Sequence, residues 1–149
     1  MEEKIQSFLD LNVWRKAHHL VLNIYQMTPT LPAHEQFTLA DQLKRTSSRC
    51  ASTIAEGFQK RQKADKIKLY NDAQASIHEL YYLLLLTRDL QYSDTTERME
   101  NTHEIQKMLG GLVRSVAGIV KNNHNHNHNH TATVRDDNHT LESENISFY

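Results

Sequence analysis

Residues 10–28 read DLNVWRKAHHLVLNIYQMT, and their apolar pattern decides the fold. The apolar positions lie 4, 3, 4 and 3 residues apart: Val13, Ala17, Leu20, Ile24 and Met27. This spacing puts one apolar stripe along a helix, which is typical of a helix-bundle seam. We predict a helix with Asp10 as its N-cap that runs to about Thr28, since Pro29 and Pro32 follow and proline cannot donate the helical hydrogen bond.

Three further segments repeat this spacing. The second seam comprises Ala40, Leu43, Ser47, Cys50 and Ile54. The third comprises Tyr70, Ala73, Ile77, Leu80 and Leu84, and the fourth Ile105, Leu109, Leu112, Val116 and Ile119. Helices of this length with short connections form an antiparallel bundle. We therefore predict an all-α, up-down four-helix bundle.

The helix ends are predicted from capping and breaking residues. The second helix is expected to begin near Glu35 or Phe37. It is expected either to end at Gly57, where glycine takes the left-handed conformation cheaply, or to fray towards Arg61. The third is expected over about 64–92. For the fourth, Ser93 and Asp94 offer an N-cap, and Glu97 completes a capping box.

Two features of the last two helices suggest close packing or association. Residues 80–86 read LYYLLLL and are apolar on every face. Because one bundle would leave part of such a belt exposed, it predicts self-association. Gly110 and Gly111 each cost a helix interior about 1 kcal/mol, which a close helix approach would explain.

Composition limits the class of protein. The 149 residues include 17 Lys+Arg and 18 Asp+Glu, a net charge of −1. The 4 Gly and 2 Pro are too few for an all-β fold with many turns, and a single Cys excludes an internal disulfide. No apolar run approaches the ~18 residues of a membrane span, and the N-terminus does not resemble a signal peptide. We expect a cytoplasmic protein with no membrane partner.

The composition changes at Asn122. Residues 122–149, called the tail below, are polar and contain few apolar side chains, so we predict disorder there and a bundle domain over 1–121. One basic and four acidic residues give the tail −3, which leaves +2 for the rest. Its alternating histidines could bind Ni²⁺, Cu²⁺ or Zn²⁺, but a polar repeat is the favoured interpretation. These histidines are His124, His126, His128 and His130.

Several ordered motifs resemble those of a known family. They are Asp10-Leu11-Asn12-Val13-Trp14-Arg15-Lys16-Ala17, Gln42-Leu43-Lys44-Arg45, Ile54-Ala55-Glu56-Gly57 and Ala75-Ser76-Ile77-His78-Glu79-Leu80. In this order and spacing they resemble the four-helix-bundle proteins named for the 23S ribosomal RNA intervening sequence protein. The resemblance covers about residues 10–120.

The resemblance implies an up-down bundle that assembles as a homopentamer with a basic channel or surface. A related branch comprises the accessory variability determinant proteins of diversity-generating retroelements, which are similar in fold and partner a reverse transcriptase and nucleic acid. The resemblance thus implies a non-catalytic oligomer that binds nucleic acid. The alternative it implies is an accessory subunit of a retroelement reverse transcriptase.

A basic segment supports a nucleic-acid partner. Residues 44–68 hold eight basic and two acidic residues, so they carry +6. Such a stripe can neutralise phosphates, and a solvated helix face is the alternative interpretation. At about 100° per residue, the side chains of Arg45, Arg49 and Lys60 fall within a sector of about 60° on one helix. The predicted nucleic-acid-binding residues, for RNA or DNA, are Lys44, Arg45, Arg49, Lys60, Arg61 and Lys63.

Enzymatic and metal sites find little support in the sequence. A di-iron bundle needs two Glu-x-x-His motifs with two further carboxylates, and the chain has one, Glu100-Asn101-Thr102-His103. Cys50 lies on an apolar seam and is expected to be a core residue rather than a nucleophile. We predict no catalytic residue, no metal site and no cofactor.

Overall fold

The computed structural model describes residues 4–118, which form four helices. They are α1 (Asn12–Met27), α2 (Leu39–Gln59), α3 (Lys63–Asp89) and α4 (Thr96–Ala117). Short 3-10 turns cover Phe8–Asp10, Thr28–Thr30 and Ala33–Glu35. Helix α3 packs extensively on α2 and α4, and α1 packs more on α2 than on α4. The predicted all-α antiparallel bundle is confirmed.

The predicted seams form the core. Every seam position of the first three helices is buried, including Ile24, Leu43 and Leu84 at 0% exposure. On α4, Ile105 and Leu109 are buried, whereas the last described seam positions are only partly covered. Ile119 and the tail, with its predicted disorder and its histidines, lie outside the described residues.

The predicted N-cap of α1 is wrong. Asp10 belongs to the preceding 3-10 turn, where its carboxylate accepts hydrogen bonds from the backbone N–H groups of Gln6 and Ser7, at 3.0 and 3.1 Å. The Ser7 hydroxyl accepts in return from Leu9, so a capping box closes this turn one residue before α1 begins. Asp10 therefore orders the chain before α1 rather than the helix itself.

Of the two predicted ends of α2, the stop at Gly57 is wrong, and the helix extends in the direction of Arg61. The helix continues to Gln59, and Gly57 is buried against α3. A Cβ atom at Gly57 would lie 2.8 Å from Cε1 of Tyr70 and 3.2 Å from Cβ of Leu69. The glycine is required because the buried Tyr70 ring occupies the space of a side chain.

The glycine pair of α4 does not mark a close helix approach, contrary to prediction. A Cβ at Gly110 would meet only the tips of Arg114 and Gln74, at 3.4 and 3.6 Å, and one at Gly111 only Arg114, at 3.8 Å. The neighbours are thus flexible polar ends rather than a backbone. Gly110 instead lines an open groove between α3 and α4.

The apolar belt of α3 is mostly covered within one chain. Leu80, Leu83 and Leu84 are buried, and Tyr82 is the belt residue with a largely exposed side chain, at 57%. The belt therefore packs inside the bundle, and it supplies less surface for association than its sequence indicated. No helix within residues 4–118 is long and apolar enough to cross a membrane.

Candidate nucleic-acid interface

The six predicted cations form two groups rather than one stripe. Lys44, Arg45 and Arg49 lie on the first half of α2, whereas Lys60 lies beyond its last residue, with an extended backbone (ψ 144°). Arg49 and Lys60 are eleven residues apart, which corresponds to about 16 Å along a helix. Lys60 is the C-cap residue of α2, and the chain leaves the helix only after it, so the predicted common sector of Arg45, Arg49 and Lys60 stays a prediction. Arg61 and Lys63 lie beyond α2.

The cations of the α2 group have partners within the chain. Arg45 Nε lies 2.8 Å from the carboxylate of Asp41, and Arg49 Nη1 lies 3.6 Å from that of Glu79 on α3. The Lys44 ammonium lies 5.8 Å from the ring centroid of Tyr25 on α1. These partners lower the positive potential of this face, so it attracts phosphate less than its sequence suggests.

The second group surrounds the connection between α2 and α3. Lys60, Arg61 and Lys63, called the basic turn below, are all exposed. Within residues 4–118, the structure shows no ion pair to any of these three cations. Asp65, in the first turn of α3, is the acidic residue nearest in sequence. Three exposed cations on a short connection are an arrangement that neutralises phosphate.

The start of α3 adds to the potential of the basic turn. The N-cap residue, Gln62, makes no side-chain hydrogen bond to the helix. The first N–H groups of a helix have no partner within it, and its N-terminus carries a partial positive charge. The basic turn therefore surrounds a helix end that itself favours an anion.

Lys66 has a structural role that the sequence did not reveal. Its ammonium donates hydrogen bonds to the carbonyl oxygens of Phe58, at 2.7 Å, and Gly57, at 3.3 Å. It thereby bonds to carbonyls at the end of α2, of which that of Gly57 also accepts from the Lys60 N–H, and it joins α2 to α3. Among the basic residues of this segment, Lys66 is used for capping and is not available for a partner.

The described residues considered above for catalysis or metal binding do not come together in one site. Cys50 is buried, and burial raises the pKa of its thiol to about 12, so it stays protonated. Glu100 and His103 are exposed, and the His103 ring lies 4.7 Å from that of Tyr81. In the part of the chain that the structure describes, no three His, Cys, Asp or Glu side chains are placed to hold a metal ion.

Comparison with known proteins relates the chain to one family and one fold. A family model described as 23S rRNA-intervening sequence protein matches residues 9–111. Among solved structures, the chain is similar to a protein of unknown function from the S23 ribosomal protein family of Bacteroides thetaiotaomicron VPI-5482, with 24% identity and a TM-score of 0.62. The alignment covers 68% of this chain and 98% of that chain, and it shows a shared fold. No curated protein matches the chain significantly.

Proposed function

Because the chain belongs to the 23S rRNA-intervening sequence protein family, over residues 9–111, we propose that it is a non-catalytic, homo-oligomeric bundle that binds RNA or DNA. The observation that carries this proposal is the basic turn, whose three exposed cations lie at the N-terminus of α3 without an ion-pair partner among the described residues. Lys44, Arg45 and Arg49 contribute less, since Asp41, Glu79 and Tyr25 already contact them.

The binding would be directed at the nucleic-acid backbone. The basic turn contains no aromatic side chain on which a base could stack. Contacts from lysine and arginine to phosphates position a protein without specifying sequence, and they weaken steeply as salt rises. We therefore expect salt-sensitive binding with little sequence preference.

Self-association would multiply this surface. The resemblance implies a pentamer, and exposed apolar side chains near the end of α1 support association. Leu22 and Tyr25, on one face of α1, are 47% and 51% exposed, and Phe37 in the next connection is 92% exposed. Several copies of the basic turn in one assembly would raise the local potential and attract nucleic acid more strongly.

The oligomer is tested by light scattering coupled to gel filtration. The proposal predicts a mass of about 86 kDa, five times the 17.3 kDa of the chain. A species of 17.3 kDa at working concentration would refute self-association.

Nucleic-acid binding is tested by a mobility shift with a labelled RNA and a labelled DNA at low salt. We expect the variant Lys60→Ala/Arg61→Ala/Lys63→Ala to lose at least tenfold in affinity, and Lys44→Ala/Arg45→Ala/Arg49→Ala to lose less. The control Lys4→Ala/Lys16→Ala/Arg88→Ala removes the same charge outside both groups. Equal binding by the control and the basic-turn variant would contradict the proposal.

The accessory role beside a retroelement reverse transcriptase, the alternative that the resemblance implies, stays a prediction. Its cheapest discriminating observation is the location of the gene. A reverse-transcriptase gene next to it favours this role, and a position inside a ribosomal RNA gene favours the family's other branch.

A further inference from the structure

A polar groove between α3 and α4 is unexplained by the basic turn or by the packing of the bundle. It is lined by Gln74 of α3 and by His103, Gln106, Lys107, Gly110 and Arg114 of α4, and it is open to solvent, with a volume of about 430 Å³. This volume is comparable to that of small-molecule sites, but the groove covers a ligand on fewer sides than an enclosed pocket does. Two permanent cations, two amides and one imidazole line it, and none of its lining residues is a carboxylate.

Gly110 gives the groove its floor. Although Gly110 faces no neighbouring helix closely, it costs α4 stability in the middle of a helix. A side chain there would occupy the space between Gln74 and the Arg114 guanidinium, whose nitrogens lie 3.4 and 3.8 Å from the Cβ positions of Gly110 and Gly111. The guanidinium thus lies across a floor without side chains, where an anion could reach it.

The other end of the groove is held in place by two contacts from α3. The Tyr81 ring lies 4.7 Å from the His103 ring, and His78 contacts the Gln106 amide. His103 therefore presents a planar ring with a fixed neighbour, and Gln106 presents an oriented amide. Lys107 lies one helical turn, about 6 Å, beyond His103.

The carboxylates near the groove do not neutralise the positive charge of Lys107 and Arg114. Glu104 pairs with Lys16 of α1, on the other side of α4, and Glu79 pairs with Arg49 of α2. Glu100 is exposed beyond His103, at the end of the groove away from Arg114. Lys107 and Arg114, both exposed, make no ion pair with any described residue.

From this arrangement we propose that the α3–α4 groove binds a nucleotide, with its phosphate on Lys107 and Arg114 and its base against the ring of His103. Arginine and lysine match phosphate oxygens, the amides of Gln74 and Gln106 can donate to them, and an aromatic face stacks on any base. The same chemistry is present in a free nucleotide and in one unit of a strand. The site is separate from the basic turn and does not depend on it.

The test is a titration of the full-length protein with two probes, a fluorescent nucleoside monophosphate and a short labelled single strand. The variants are Lys107→Gln/Arg114→Gln, which removes the charge, and Gly110→Leu, which fills the groove. Gly111→Leu is the matched control, because it adds the same side chain next to the groove, and circular dichroism checks the helix content of each protein.

We expect both groove variants to weaken binding of at least one probe tenfold, whereas Gly111→Leu changes it less than twofold. If the groove variants lose affinity for the monophosphate, the ligand of the groove is a free nucleotide. If they lose affinity for the strand alone, the ligand is one nucleotide unit of a strand. Unchanged binding of both probes by Lys107→Gln/Arg114→Gln would overturn the proposal, as would equal losses from the two leucine variants. The basic-turn variant should keep its monophosphate affinity, which separates this proposal from the one above.

Discussion

At the scale of single residues, the contact between Gly57 and Tyr70 shows how one missing side chain sets the distance between two helices. The buried Tyr70 ring of α3 occupies the place of a Cβ on α2, so α2 and α3 approach closely at this point. By sequence alone, Gly57 is a candidate helix end. Its actual partner lies 13 residues further along the chain, on another helix, where no local sequence rule could find it.

The substitution Gly57→Ala should therefore destabilise the protein, although alanine is the better helix former. The gain in helix propensity is about 1 kcal/mol, whereas forcing an atom into a filled site costs about 1–3 kcal/mol. Urea unfolding should show a net loss, and Gly111→Ala, whose Cβ meets no atom closer than 3.8 Å, should show a gain. An increase in stability for Gly57→Ala would disprove this packing.

Glu35 should make stability depend on pH. The hydrogen bond from the Thr38 hydroxyl, at 2.8 Å, is the main cause that lowers the pKa of the Glu35 carboxyl, and the Leu39 N–H and the Tyr92 hydroxyl add to it. Because the pKa is lower in the folded state than the ordinary value of 4.5, the ionised carboxyl stabilises the fold at pH values above 4.5. This stabilisation is lost as the pH falls through the pKa of the folded state. Glu35→Gln should reduce the difference between the unfolding free energies at neutral and acidic pH. If acidification lowers the free energy of unfolding equally in the wild type and the variant, Glu35 does not make stability depend on pH.

At the scale of elements, the helices could be predicted from sequence and their ends could not. A period of 3.6 residues repeats many times along each helix, so the buried positions from Val13 to Leu84 followed from spacing alone. Each end depends on one or two contacts. The N-cap of α4 is Thr95, whose side chain makes no capping hydrogen bond, so the predicted N-cap at Ser93 or Asp94 and the capping box with Glu97 are wrong. Asp94 lies one residue earlier and accepts from the Thr96 N–H, and Asp10 likewise caps a turn that precedes its helix.

The end of α3 has glutamine, Gln91, at a position where the backbone conformation favours glycine. The N–H groups of Gln91 and Tyr92 bond to the carbonyls of Arg88 and Thr87, which is the Schellman motif, and Gln91 has φ 62°. Glycine adopts this conformation without the cost of about 1 kcal/mol that other residues incur. Gln91→Gly should raise the melting temperature, and Gln91→Ala serves as a control that keeps the cost. A lower melting temperature for the glycine variant would show that the Gln91 side chain stabilises the helix end.

For the candidate site too, local spacing could be predicted from sequence and contacts between helices could not. The six cations and the pair of Arg45 with Asp41, four residues apart on one helix, follow from the sequence. The pair of Arg49 with Glu79 depends on the contact between α2 and α3, so sequence alone could not show that this cation already has a partner. The basic turn emerges as the stronger surface only when these pairs are known.

At the scale of the whole molecule, the location of the exposed apolar side chains decides where copies would meet. The belt of α3 is mostly internal, whereas Phe37 lies 92% exposed in the connection between α1 and α2. Phe37→Ser should therefore keep the helix content and lower the mass measured by light scattering. Tyr82→Ser, on the belt, is the control. A lower mass for Tyr82→Ser alone would place the interface on α3 instead.

The central claim, that the basic turn binds nucleic-acid phosphates, is tested most directly by the salt dependence of binding. The slope of log K against log salt is negative, and each lost phosphate contact reduces its magnitude by about 0.7–0.9. We predict that Lys60→Ala/Arg61→Ala/Lys63→Ala reduces the magnitude of the slope by about 2 or more relative to wild type, while the Lys4→Ala/Lys16→Ala/Arg88→Ala control keeps it. An unchanged slope in the basic-turn variant, or an equal decrease in both variants, would contradict the claim.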